Sequence, residues 1–409
     1  MPLSDDITYK NQKKVLPQFK EIVMQDDKQP NSRTIRVGMM TFHWAHNYGA
    51  ILQAYALYQY LHKTLHVDVR LIDFMTERQK RVNRILPEIR WSVQLPKMVG
   101  LYLLKLGHYQ SFLRKKLRFE EFARECFAYT RHYGSFDDLR LTPPELDAVI
   151  TGSDQVFNFR ILPDQELSAY CLEAFSSEKT RKIAFAPSFG NDSIPAEVCS
   201  KMTVGLSDFQ SLSARESNGA ALLEEITGRC TEVLFDPVFL HDAQHWRTVA
   251  RSVELPYTDY ILCYALNGRV SLGDLAAKIK LLTGLPVVLV TTRVHTGIKA
   301  EKTFYDIGPR EFLWLIDHAR YVVTDSFHGT AFANLFEKDF YSHIIVLQSA
   351  QRIIGMLKTL GQENRLAKQA EDITSDKLPI DFTISRQVIK EQRKKSYLFL
   401  REALFNTIN

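Results

Sequence analysis

The segment Tyr321-Val-Val-Thr-Asp-Ser-Phe-His-Gly-Thr-Ala-Phe-Ala-Asn334 joins a short apolar strand to a helix of small residues through a tight turn carrying Asp325, Ser326 and His328. A strand that feeds directly into a helix is the building unit of open parallel α/β sheets, and the turn between them is where such sheets hold ligands. The unit occurs again near the N-terminus. Ile35-Arg-Val-Gly-Met-Met-Thr41 reads as a strand and Phe42-His-Trp-Ala-His-Asn-Tyr-Gly49 as the turn; a helix starts near Tyr48, with Asn47 as its N-cap. In that helix Ala50, Ala54, Leu57 and Leu61 fall on one apolar stripe, and residues 67–73 supply the next strand.

The alternation continues with strands at 148–151, 182–186, 210–214 and 231–235, and with a helix over 216–226 that stops at Gly228. Asp236-Pro237 reads as a hinge, because proline cannot donate to a sheet and biases its predecessor to extended geometry. A second series then begins, with strands at 260–265, 286–291, 321–324 and 341–346. Its helices fall at 271–282, from Gly308-Pro309 onward, at 330–336 and at 352–360; a last helix over 385–405 is expected to return to the first half. At 409 residues the chain is too long for one ordinary core. The expected fold class is α/β, two Rossmann-like domains facing across a ligand cleft. A polar lead-in (1–32) precedes a first domain (33–237) that carries an insertion over about 76–135. A second domain (238–383) and the C-terminal helix (384–409) follow.

Composition narrows the function class. With 45% hydrophobic, 24% charged and 11% aromatic residues the chain is globular, which excludes disordered and fibrous readings. A net charge of +5, spread along the chain, favours anionic ligands or membrane surfaces mildly and gives no reason to expect nucleic acid. Cys126, Cys171, Cys199, Cys230 and Cys263 are scattered and form no CxxC pair, so neither a disulfide framework nor a zinc site is expected. Met1 to Asn31 contains no apolar signal-peptide core, and no run of about 20 apolar residues exists; a cytoplasmic protein is expected. The insertion reads as helical and is rich in Arg and Lys, with Trp91, Tyr102, Phe112 and the run Arg114-Lys-Lys-Leu-Arg118. A solvated helical surface is the simpler reading. The sharper one is a basic, aromatic surface that touches the inner face of a bilayer or a lipid-linked substrate.

Candidate site residues collect at the turns. Asn47, Tyr48 and Gly49 stand at a helix N-terminus, where free N–H groups and the helix dipole suit phosphate or carboxylate. Alternatively Asn47 only caps, and His43 and His46 are ordinary turn residues. In Thr151-Gly-Ser-Asp-Gln-Val-Phe-Asn158, Gly152 and Ser153 permit close approach, while Asp154, Gln155 and Asn158 offer donors and acceptors to sugar hydroxyls; an Asx-type turn without a ligand is the alternative. Ser188 repeats the placement. Arg215 can clamp a phosphate or carboxylate, or simply pair with Glu216. His328 can serve as acid or base near neutral pH. A hydrolase built on Ser326 and His328 lacks the G-x-S-x-G elbow.

Together, Asn47-Tyr-Gly-Ala-Ile-Leu-Gln-Ala-Tyr-Ala-Leu57, Gly152-Ser-Asp-Gln-Val-Phe-Asn158, Ser213-Ala-Arg-Glu216, Asp236-Pro-Val238 and Thr324-Asp-Ser-Phe-His-Gly329 resemble the polysaccharide pyruvyl transferase family, in order and spacing from about residue 35 to 365. The resemblance implies a fold like the two-domain GT-B glycosyltransferases. It also implies transfer of the enolpyruvyl unit of phosphoenolpyruvate onto two hydroxyls of a sugar, giving a pyruvate ketal. No cofactor or metal is implied beyond phosphoenolpyruvate as donor. The acceptor would be a glycan or lipid-linked saccharide destined for exopolysaccharide, capsule or cell wall. His328, Asp154 and Asp325 become the acid and base candidates. Asn47, Tyr48, Gly49, Arg215, Ser326, Gly329 and Arg352 become candidates for the donor, and His43, Gly152, Ser153, Gln155, Asn158 and Ser188 for the acceptor. The chain departs from better-known members, which read Ser-x-Arg-Leu-His-Gly where this one has Thr324-Asp-Ser-Phe-His-Gly329. Ser326 thus replaces the donor-anchoring arginine, and Arg352 or Arg215 is expected to supply the cation. Two other readings remain: a glycosyltransferase using a nucleotide sugar on the same scaffold, and a sugar-binding protein that has lost the chemistry.

Overall fold

In the computed structural model, which describes residues 34–86, 95–344, 347–374 and 379–406, the apolar runs of the sequence form two all-parallel sheets. The first sheet contains β1 (Arg36–Met40), β2 (Asp68–Phe74), β3 (Tyr129–Tyr133), β4 (Ala148–Thr151), β5 (Arg181–Ala184), β6 (Ser211–Ala214) and β7 (Glu232–Val233), in the order β3-β2-β1-β4-β5-β6-β7. The second contains β8 (Ile261–Ala265), β9 (Val287–Thr291), β10 (Lys302–Phe304), β11 (Tyr321–Thr324), β12 (Asp339–His343) and β13 (Leu366–Ala367), ordered β10-β9-β8-β11-β12-β13. Central strands such as β4, β8 and β9 are buried along their whole length, because helices cover both faces. Strand order reverses between β1 and β4 and between β8 and β11. Met40 pairs with Thr151 and Tyr264 with Thr324 at these switch points, where helices leave to opposite faces and open a crevice at the strand ends.

The helices of the first half are α1 (Tyr48–Lys63), α2 (Glu77–Val82), α3 (Leu95–Gly107), α4 (Tyr109–Cys126), α5 (Phe136–Leu141), α6 (Asp164–Tyr170), α7 (Ala196–Leu206) and α8 (Ser217–Thr227). Those that follow are α9 (Ala243–Val249), α10 (Val270–Thr283), α11 (Pro309–His318), α12 (Phe327–Leu335), α13 (Leu347–Thr359) and α14 (Thr383–Phe405). Asn47 starts α1 as expected, its side-chain oxygen accepting from Gly49 N and Ala50 N. Fourteen residues of α1 are buried, far more than one apolar stripe, because the helix lies between the two sheets. Tyr48 stacks on Phe312 at 4.4 Å and donates its hydroxyl to Ile307 O, and Tyr55 packs on Trp246. One core therefore runs through both halves, and residues 35–409 form a single compact unit.

Several boundaries differ from the sequence reading. The insertion is helical through α2, α3 and α4, but its end forms edge strand β3. Strands β10 and β13, three and two residues long, are too short to leave a pattern. The helix expected from residue 330 begins at Phe327, because Ser326 Oγ accepts from Gly329 N and caps it; His328 lies in the first helical turn. Trp91, the lead-in 1–32 and the last two residues of the expected 341–346 strand fall outside the described residues. Helix α14 returns to the first sheet, where Arg181 donates to Leu404 O and Phe185 meets Phe399. Among the described residues no helix is long and apolar enough to cross a membrane.

Candidate active site

Arg215 leaves the end of β6, Asp236 leaves β7, and His328 opens α12, so three separate strand ends converge. The Arg215 side chain is 2% exposed; it donates from Nε to Glu216 and from Nη1 to Asp236, both at 2.8 Å, and its guanidinium covers the Phe327 ring at 4.6 Å. Asp154 stands 3.8 Å from the same Nη1. Asp236 also accepts from Val238 N and lies 3.4 Å from His328 Nε2, an ion-pair contact rather than an aligned hydrogen bond. Burial pushes the Asp236 carboxyl up, but His328 and Arg215 outweigh it and hold the group at about 2. Burial opposes the Arg215 charge as well, and the carboxylates of Glu216, Asp236 and Asp154 more than reverse that, raising its pKa. On its other edge His328 rests against Gly49: a Cβ at position 49 would lie 1.9 Å from Nδ1, so no larger residue fits there.

Three buried polar atoms of this cluster have no hydrogen-bond partner among the described residues: Arg215 Nη2, Arg352 Nε and His328 Nε2. Burial, and then the charge of Arg215, lower the Arg352 pKa, while Glu216, Asp154 and Asp236 oppose them, so all five groups share one field. Arg215 and Arg352 line a cleft of about 390 Å³ whose walls come from both halves, with Asn218 and Phe235 on one side and Phe327 and Met356 on the other. The N-terminus of α8 opens on the same cleft. Its N-cap Glu216 makes no side-chain cap bond and its first turn holds no acidic residue. Free first-turn N–H groups beside two under-used guanidinium groups make a built receptor for a compact anion.

The other sequence candidates take different places. Asp325 is a correction: its two carboxylate oxygens accept from Leu266 N and Asn267 N at 2.7 and 2.9 Å, which ties down the β8–α10 loop and leaves it unsuited to acid–base work. Tyr48 and Ser326 are spent on packing and capping, and Gly329 is a glycine because a Cβ would meet Thr324 and Tyr264. Ser153 is fully buried, its hydroxyl donating to Ala186 O and its backbone N–H donating to Gln53 Oε1, so it is not open to an acceptor. Around it, Asn158 Nδ2 donates to Gln155, Asn191 donates to Asn158, and Ser188 Oγ accepts from Gly190 N. This loop is the self-satisfied turn weighed as the alternative, with Gly152 at a positive φ of 111° against Phe185 O. Asp154 emerges from it, also at positive φ, with its carboxylate near Arg215.

His43, a candidate for the acceptor, does not line the cleft of Arg215 and Arg352. It faces a separate pocket of about 410 Å³ with Trp44, His46, Phe119 and Tyr129, and its Nε2 lies 3.6 Å from Asp73, which His132 meets from the other side at 3.1 Å. In the sequence Asp236 reads as a hinge residue and as part of the Asp236-Pro-Val238 motif, without a place at the site; the signal was available, since it follows a strand end as Arg215 and Asp154 do. Asp73 and the α8 N-terminus gave no comparable signal.

Two Rossmann-like halves with a buried Arg–Asp–His cluster in the cleft between them define an α/β protein of the GT-B-like class. The sequence model of the polysaccharide pyruvyl transferase family matches residues 47–342, and the chain belongs to that family. Among solved structures it is similar to a UDP-GlcNAc 2-epimerase from Neisseria meningitidis, at 10% identity over 90% of this chain and 100% of that one, with a TM-score of 0.46. It is also similar to a UDP-glucosyltransferase from Polygonum tinctorium, at 9% identity over 91% and 95% of the two chains, with a TM-score of 0.39. No curated protein sequence matches.

Proposed function

We propose that this chain transfers the enolpyruvyl unit of phosphoenolpyruvate onto two hydroxyls of a glycan precursor, forming a pyruvate ketal. The observation that carries the reading is the anion receptor: Arg215 Nη2, Arg352 Nε and the uncapped α8 N-terminus facing one cleft beside His328. A donor bearing both phosphate and carboxylate suits a receptor with several separate donors. Reaction begins with a proton delivered to the enol CH₂ carbon; His328 is the donor in this reading, since its buried Nε2 has no hydrogen-bond partner among the described residues and lies within the cluster, 3.4 Å from Asp236. The adjacent carbon becomes electrophilic, and the carboxylates of Asp154 and Asp236 favour that positive charge. One sugar hydroxyl attacks, losing its proton to Asp154, and inorganic phosphate leaves. A second hydroxyl closes the ring on the same carbon and returns its proton to His328, while the proton taken by Asp154 leaves with the phosphate. The balance is donor plus diol to ketal plus phosphate, and Arg352 fills the place left by Ser326.

Thermal melting with phosphoenolpyruvate and, separately, with nucleotide sugars tests this. A ligand at 100 times its Kd adds about 2.7 kcal/mol, a readable rise in Tm. Phosphoenolpyruvate is expected to raise Tm, and Arg352→Ala to weaken its binding by about 10–100-fold, the worth of a charged hydrogen bond. Stabilisation by nucleotide sugars alone would move the function to glycosyl transfer. Silence from every ligand would favour the binding protein.

A further inference from the structure

We propose that the insertion between β2 and β3 docks this protein on an anionic lipid surface through the uncovered face of α3. The inference stands apart from the reaction assigned to the cleft. On α3, Val99, Leu103 and Leu106 fall at i, i+4 and i+7 and are 38%, 60% and 49% exposed, so they share one face; Leu104 beside them is 38% exposed. A Cβ placed on Gly100 or Gly107 would meet no atom of the described residues within 4 Å. Single exposed leucines need no explanation, but three large aliphatic residues on one face of a thirteen-residue helix form a patch that water does not favour.

Charge selects the occupant. Residues 76–135 carry thirteen Lys or Arg against five Asp or Glu, an excess larger than the +5 of the entire chain, so the rest of the molecule is net acidic. Lys105 lies on the flank of the same helix, about 100° round from Leu106. Lys80, Arg114 and Lys116 are half-exposed on the neighbouring helices, in surface ion pairs with Glu77, Asp306 and Glu120 that leave part of each cation in water. A second copy of the chain would bring two basic insertions together, which like-charge repulsion opposes. An anionic bilayer offers what both features need: acyl carbon for the leucines and negative headgroups for the basic side chains. A helix of thirteen residues, roughly 20 Å long, would lie in the plane of the interface.

Co-sedimentation of the full chain with vesicles tests the proposal, using equal parts phosphatidylglycerol and phosphatidylcholine against phosphatidylcholine alone. Binding to the anionic vesicles is expected, with neutral vesicles weaker by on the order of ten-fold and 0.5 M salt weakening the anionic binding. Leu103→Asp/Leu106→Asp is expected to reduce binding by on the order of ten-fold or more, as two buried aliphatic side chains are replaced by charges. Leu103→Ser provides a milder variant, and melting curves establish that each variant folds. The proposal is overturned if the parent fails to sediment with anionic vesicles, or if folded variants bind as the parent does. Self-association of the parent that the variants abolish, without vesicle binding, would assign the stripe to a second copy and equally overturn it.

Discussion

Gly49 and His328 come from opposite halves of the molecule and contend for the same few cubic ångströms. A methyl group on residue 49 would overlap the imidazole, whose far edge is already held against Asp236. Gly49→Ala is therefore expected to cost about 1–3 kcal/mol through overpacking and to displace His328. The urea midpoint reads the first effect and loss of product formation the second; an unchanged midpoint would mean that the ring moves freely. Asp236→Asn acts on the same cluster through charge. It leaves Arg215 with Glu216 alone at hydrogen-bond distance and is expected to destabilise by about 3–5 kcal/mol, the usual consequence of uncompensating a buried ion. A loss under 1 kcal/mol by chemical denaturation would show that Glu216 and Asp154 suffice. At this scale the sequence was informative where a residue had to be what it is. His328, Arg215 and Asp154 were legible as side chains at strand ends, but which of them touch depends on sheet order. Asp325 looked as suitable as Asp154 until both its oxygens were found engaged by a neighbouring loop.

Helix α4 carries Lys115 into the interior, 94% buried and 4.7 Å above the Tyr48 ring, with Phe119 at 5.2 Å. Burial pushes its ammonium down to about 7. With the folded pKa below the ordinary 10.5, the group costs no stability above 10.5; stability falls as pH drops from 10.5 towards 7 and then levels off. Lys115→Met is accordingly expected to stabilise the protein at pH 7 by about 1–4 kcal/mol, a gain that fades as pH approaches 10.5. Urea denaturation at pH 7 and pH 10 checks it, and a destabilised variant at pH 7 would mean that the ring contacts outweigh desolvation. The element scale also explains what pattern reading lost. Long segments with both faces covered, such as β8, β9 and α1, announce themselves by continuous apolar character. Edge strands β3, β10 and β13 bury one face or less, and the start of α12 is set by a single side-chain cap at Ser326.

For the molecule as a whole, two alternating series implied two domains, yet α1 belongs to both cores, which no stripe of residues in the first series could reveal. The chain between the sheets is held on both sides. Arg393 of α14 donates to Phe239 O and His241 O, and His241 Nε2 donates to Ala56 O of α1 at 2.9 Å. His245 stacks on His241 with ring centroids 3.9 Å apart. Burial, then the charge of His245, pushes His241 down to about 3, and burial, then Lys63, lowers His245. Both are neutral when folded and take up protons below about 6.5 when unfolded, so the unfolded state binds more protons in acid. Their contribution is fully present above 6.5 and is lost as pH falls from 6.5 towards 3. Asp236, held at about 2, begins to lose its own contribution only below about pH 5, where the carboxyl of the unfolded chain protonates, so acid sensitivity between pH 6.5 and 5 reports on buried histidines. His46, lowered to about 4 by burial and by Lys115 and Lys116, adds to it. His245→Phe preserves a ring on His241 while removing one titrating group and one source of charge repulsion. The urea midpoint of the parent is expected to fall between pH 7.5 and pH 5, and that of the variant to fall by less. Equal slopes would show that the linker opens and rehydrates its histidines before the two sheets separate.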